Sequence, residues 1–193
     1  MDSHQYPDFI EDLMSFIRNK EVSKFFNFLT EKSLEHSQFV DSAFDDKCTL
    51  LMSASYHGQK DIVQKLLDIG CNINLKNDSL WTALMFAAYS GHDDIVKMLL
   101  EKHADIDTVN SLGSTALHLA TCMGHTNVFR VLLKENANIH IKDNAGWTVG
   151  LIAKKKGFRG IVQLMADYER IPSQMISGQI SQTIVLSSDN NIL

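Results

Sequence analysis

The sequence is short of the features that announce chemistry. Its 193 residues hold three cysteines, Cys48, Cys71 and Cys122. The number is odd and no two stand as C-x-x-C, which argues against a disulfide framework and for free thiols in a reducing compartment. No apolar run approaches the ~18 residues that a membrane span requires. The stretch from Met1 to Lys20 carries Asp8, Glu11 and Asp12 where a secretory signal would be apolar. A soluble, cytoplasmic and/or nuclear protein without membrane insertion is therefore predicted.

Positive charge is also scarce. The formal net charge is −5 and the lysines and arginines gather into no long stripe, so no nucleic-acid partner is expected. Lys154, Lys155, Lys156 and Arg159 form the single basic cluster, which reads as a solvated end face ahead of a nuclear-import or phosphate-binding patch. Phosphate-binding, dinucleotide-binding, zinc-protease and nucleophile-elbow motifs are all missing, so phosphoryl transfer, redox chemistry and hydrolysis have no candidate residues. Cys122 and His125 are the one Cys/His pair at ligand spacing, and a single pair cannot complete a four-ligand zinc site. The chain is predicted to be no enzyme, with no catalytic residue, metal or cofactor.

What is present is a period. Thr49, Thr82, Thr115 and Thr148 are each 33 residues apart, and so are Gly58, Gly91, Gly124 and Gly157, and Ala54, Ala87, Ala120 and Ala153. Within each period a threonine can cap a first helix through its hydroxyl. Small alanines let neighbouring helices approach, and a glycine suits a left-handed helix end. Asp93 and Asp94 sit where carboxylates favour the start of a second helix, and Ile95, Val96, Leu99 and Leu100 follow at helical spacing. Their counterparts are Ile62, Val63, Leu66 and Leu67, then Val128, Phe129, Leu132 and Leu133.

A period of 33 opening on Thr-x-Leu-(His/Met), as in Thr115-Ala-Leu-His118, resembles the ankyrin-repeat family over roughly residues 45–166. The resemblance implies an all-α solenoid of stacked helix-turn-helix units with β-hairpin-like finger loops. It divides the chain into an N-terminal helical pair at 1–44, read as a degenerate capping repeat, and repeats at 45–76, 77–109 and 110–142. A degenerate C-terminal capping repeat follows at 143–170, and a flexible tail at 171–193.

Several positions depart from the family pattern. Lys47 and Leu80 stand where Gly113 and Gly146 supply the finger turn, which puts the finger around Leu80 in question. Shifting the first unit by 37 lays Leu13 on Leu50, Ile17 on Ala54, Phe25 on Ile62 and Leu29 on Leu66. That shift puts Glu21 in place of the glycine and Asp12 in place of the threonine, with four extra residues in the following loop. In the last repeat Gly150 and Leu151 replace the Leu-His pair, and Lys154 to Lys156 make the end polar, as a cap requires.

In the family, the repeat histidines, here His92, His118 and His125, hydrogen-bond within and between repeats. Function then falls on residues the stack leaves free: the finger tips and the exposed ends of the first helices, which line the concave face in this family. These are Tyr56, His57, Lys76, Asp78, Trp81, Tyr89, Ser90, Ser111, Leu112, Cys122, Met123, Asn144 and Trp147, together with Cys48, Ser79, Val109, Ser114, Lys142, Lys155 and Lys156. Tyr56, Tyr89 and Met123 are expected at one structural position and Trp81 and Trp147 at another, so that aromatic and soft apolar groups run across the face. Such residues are frequent interface anchors.

The implied function is a non-enzymatic, monomeric protein–protein interaction module or adaptor that offers this face to one or more partner proteins. A regulatory inhibitor docking a kinase or other enzyme, and the targeting arm of a larger enzyme complex, are the alternatives. Asn74 also resembles the site that many ankyrin proteins offer to an intracellular asparaginyl hydroxylase. The competing reading is that its side chain closes its own turn.

Overall fold

The computed structural model describes residues 7–32 and 40–170. Ten helices lie among the described residues: α1 (Pro7–Arg18), α2 (Val22–Glu31), α3 (Leu50–Tyr56), α4 (Lys60–Ile69), α5 (Ala83–Ser90), α6 (Asp93–Glu101), α7 (Ala116–Met123), α8 (Thr126–Lys134), α9 (Val149–Lys156) and α10 (Arg159–Arg170). They pair as α1/α2 through α9/α10. The first members α1, α3, α5, α7 and α9 pack in one row, and the second members α2, α4, α6, α8 and α10 in another. This is the all-α solenoid that the period implies. The tail expected at 171–193 lies outside the described residues.

The threonines start the first helices as expected. Thr49, Thr82, Thr115 and Thr148 are all extended, and each side-chain oxygen accepts from the backbone N–H three residues on, at 3.3–3.5 Å. Gly91 ends α5 at φ 83°, and a Cβ there would sit 2.8 Å from the His125 imidazole of the next unit. The close approach excludes a side chain, and the backbone angle would strain one. Ala54, Ala87, Ala120 and Ala153 are fully buried in the first row, and Ile62, Val63, Leu66, Val96, Leu99, Val128, Phe129, Leu132 and Ile161 between the rows.

The first unit is in a different register from the one expected. Glu21 N–H donates to the Phe16 carbonyl and Phe25 N–H to the Glu21 carbonyl, as Gln59 does to Ala54 and Val63 to Gln59. Phe16 therefore lies on Ala54 and Phe25 on Val63, a shift of 38, five more than the period of 33. Lys20 at φ 60°, and not Glu21, holds the left-handed place that Gly58 holds at φ 71°. A helix that buries an apolar stripe two residues wide matches nearly as well after a slip of one residue, so side-chain character could not fix the register. The hairpin hydrogen bonds do fix it. The opening threonine has no counterpart because α1 runs through that position back to Pro7.

The fingers stay regular despite losing two glycines. Lys47 at φ 54° and Leu80 at φ 61° take the left-handed conformation that Gly113 and Gly146 take at φ 73° and 81°. A side-chain hydrogen bond spans each of the three later fingers: Asn77, Asn110 and Asp143 side-chain oxygens accept from the N–H of Trp81, Ser114 and Trp147 at 2.7, 3.0 and 2.8 Å. Successive fingers join through Asp78 N–H to Asp46 O, Ser111 N–H to Ser79 O, and Asn144 N–H to Leu112 O, at 2.9, 3.0 and 3.0 Å. The first finger adds a small antiparallel ladder, β1 (Ala43–Phe44) against β2 (Cys48–Thr49).

Candidate interaction surface

Fingers and first helices share one face, and its centre is aromatic. Trp81, just ahead of the Thr82 cap, brings its ring to 5.0 Å from Phe86 and 5.6 Å from Tyr89, which are a helical turn apart on α5. Tyr56, at the end of α3, meets Phe86 edge-on at 6.1 Å and His57 at 5.0 Å. Four rings from two units thus form one cluster whose members remain half-buried or, for Tyr56, 44% exposed. Phe86 is absent from the sequence-derived set. Its signal was the i, i+3 spacing to Tyr89, which places both on the same side of α5.

Thirty-three residues beyond Tyr89 stands Cys122, and beyond that Lys155. Met123 instead matches His57, Ser90 and Lys156, so the expectation that Met123 shares the tyrosine position is wrong by one residue. Cys122 is half-buried and Met123 45% exposed. Trp81 and Trp147 do occupy equivalent places, with Ser114 between them. Trp147 has its own partner: the Lys155 ammonium lies 4.4 Å above its ring, so Trp147–Lys155 replaces Trp81–Tyr89 in the last unit.

The other sequence-derived residues divide between open and committed ones. Lys76, Ser111 and Leu112 are exposed, Leu112 at 65% on its finger tip, and Ser90 is half-buried. Asp78 is exposed and paired with Lys47 at 2.7 Å. The Asn144 side-chain amide donates to the Ser111 carbonyl at 3.0 Å and ties two fingers together.

Asn74 does not close its own turn. Asn72 does so, its side chain accepting the Asn74 N–H at 3.1 Å. The Asn74 oxygen accepts instead from Asp105 N–H of the next unit at 2.9 Å, as Asp41 accepts from Asn72 and Asp107 from Asn138.

The histidines and cysteines are structural in geometry. His92 and His125 reach the Tyr56 and Tyr89 carbonyls through Nε2 at 3.1 and 3.0 Å. His118 is buried with Nδ1 against Thr115 and Nε2 against the Trp147 carbonyl, and burial lowers its pKa. Burial also raises all three thiols, Cys71 to about 12. Among the described residues no group of three or more His, Cys, Asp or Glu side chains could hold a metal ion, and no helix is long and apolar enough to cross a membrane.

The basic cluster is partly built into the fold: besides Lys155, Lys156 donates to the Cys122 carbonyl at 2.9 Å. Two clefts lie away from the aromatic cluster. One of about 350 Å³ opens at the end of the stack between α9 and α10, beside Leu151, Val162 and Met165. Another of about 400 Å³ runs between α6 and α8, beside Lys97 and Arg130.

A family model described as ankyrin repeats (3 copies) matches residues 13–110, 51–143 and 99–175. Among curated proteins none matches the chain.

Proposed function

The chain belongs to the ankyrin-repeat family, whose members are generally protein-interaction modules, and from that premise we propose that it is a non-enzymatic adaptor binding a partner protein through the face of fingers and first helices. One observation carries the reading. Tyr56, Trp81, Phe86 and Tyr89 form a continuous aromatic patch, while the cores above and below are already filled by alanine, leucine and isoleucine. Large rings that keep solvent contact on a rigid scaffold supply area at little ordering cost, which suits interface anchors. The α1/α2 and α9/α10 pairs serve as caps at the ends of the stack.

The test is proximity labelling with the wild-type chain to find the partner, followed by titration with Trp81→Ala and Phe86→Ala. Each should weaken binding by about 2 kcal/mol, roughly thirty-fold in Kd, with a cooperative unfolding transition retained. Equal affinity of a folded double variant would remove this face from the function.

A further inference from the structure

The face is electrically lopsided along its length. At its N-terminal end charge is balanced: Asp46 and Asp78 lie on the first two fingers with Lys47, bound to Asp78 at 2.7 Å, and the exposed Lys76. Its middle is apolar: the four-ring cluster, then Leu112 and Met123. Its C-terminal end is basic, with Lys142 on the last finger and Lys155 and Lys156 on α9 all exposed. Asp143, next to Lys142 in the chain, is engaged within its finger, its carboxylate taking the N–H groups of Ala145 and Trp147 at 3.0 and 2.8 Å. This basic end belongs to a chain of net charge −5, so the excess of lysine there runs against the rest of the molecule.

Two of these ammonium groups are also held in place. Lys155 is fixed over the Trp147 ring at 4.4 Å and Lys156 against the Cys122 carbonyl at 2.9 Å. Each remains exposed while its ammonium group is positioned, so a carboxylate arriving there meets an organised donor and not a free side chain.

Resting on the proposal that this face binds a protein, we infer that the partner segment is acidic and amphipathic. Its apolar anchor seats on the Trp81–Phe86 cluster, and its carboxylates meet Lys155 and Lys142. Two repeats separate anchor and lysines. With packed helices roughly 8–10 Å apart, that separation is roughly 20 Å. A segment in extended form covers it in about six residues, and a helical one in about thirteen. The chemistry recognised is therefore an aromatic or leucine anchor followed by Asp or Glu at one of those two spacings.

A random-peptide phage library selected on the full chain tests this, with Lys142→Glu/Lys155→Glu and Trp81→Ala/Phe86→Ala variants in parallel. Enriched peptides should carry the anchor and the acids, bind at least about tenfold more weakly to the lysine variant, and weaken with added salt. Selection on the lysine variant should enrich basic residues at the same spacing. Enriched peptides lacking acids, or equal binding to the folded lysine variant, would overturn the inference, as would a library yielding no binder.

Loss of binding in the lysine variant with none in the aromatic variant would instead retire the aromatic anchor and leave the acidic class standing. A labelled single-stranded oligonucleotide that binds through the same lysines would reassign the patch to nucleic acid. Lys142→Glu alone serves where disturbing Lys155 lowers the denaturation midpoint.

Discussion

The Lys156 ammonium bonds to the Cys122 carbonyl at 2.9 Å, at the position where Tyr89 is bonded by His125 and Tyr56 by His92. All three carbonyls close the last turn of a first helix, where a helix leaves its oxygens unpaired. Each is satisfied by the following unit. In the last unit the histidine position is Phe158, whose ring packs on Gly124 and cannot donate, and the lysine two residues earlier does so. At the other end Gln59 takes the histidine place and donates to Ile17 O at 3.3 Å, one residue before Arg18, the counterpart of Tyr56. The units are joined by one recurring kind of bond, made by three kinds of donor and shifted by one residue at the N-terminal end.

If that bond is what His125 contributes, His125→Ala should lower stability by about 1 kcal/mol. His125→Gln, which restores the donor found at Gln59, should recover a good part of the loss. Urea denaturation of the three proteins decides it. Equal losses in the two variants would mean that the imidazole matters by packing on Gly91 and not by its hydrogen bond.

The bond also shows where the sequence could and could not be read. Thr, Ala and Gly at fixed intervals are legible because capping, close packing and left-handed backbone each admit few residue types. Lys156 was not, because it reaches its acceptor from another register and by another residue type. Phe86 was passed over because it sits within the stretch that the stack explains, and only its distances to Trp81 and Tyr56 separate it from the core. The register of the first unit slipped by one because Leu13 and Phe25 find apolar matches on either side.

Leu80 makes the clearest case of a position held against its own preference. At φ 61° it adopts the backbone of Gly113 and Gly146, and its side chain is 44% exposed. A non-glycine residue in this region costs roughly 1–2 kcal/mol. Glycine relieves that strain, offset in part by the greater freedom of the unfolded chain. Leu80→Gly should therefore raise the urea midpoint, by about 0.5–1 kcal/mol of stability. A lower midpoint would show that the exposed leucine contributes more by contact than its backbone costs.

His118 gives the fold a dependence on pH whose sign follows from its burial. Its Nδ1 accepts the Thr115 N–H at 3.3 Å, which leaves the ring proton on Nε2 to donate to the Trp147 carbonyl at 3.2 Å. Burial lowers its pKa below the usual 6.5, and the Trp147 carbonyl and Asp143 only partly oppose this. Above about pH 6.5 neither the folded nor the unfolded chain holds a second proton on this ring, and its contribution is flat. As the pH falls through that value the unfolded chain takes up the proton first, so stability declines, by up to about 1.4 kcal/mol per pH unit, until the folded ring also titrates. In the α3/α4 unit Met52 holds the same place, its sulfur 3.5 Å from the Thr49 N–H, so His118→Met preserves a partner for Thr115 while removing the titration. The variant should lose less stability than wild type between about pH 7.5 and about pH 5.5, measured by urea denaturation at both. Parallel curves would place the acid sensitivity elsewhere, His57 being the next candidate, since burial and the charges of Arg18, His92 and Lys20 lower its pKa as well.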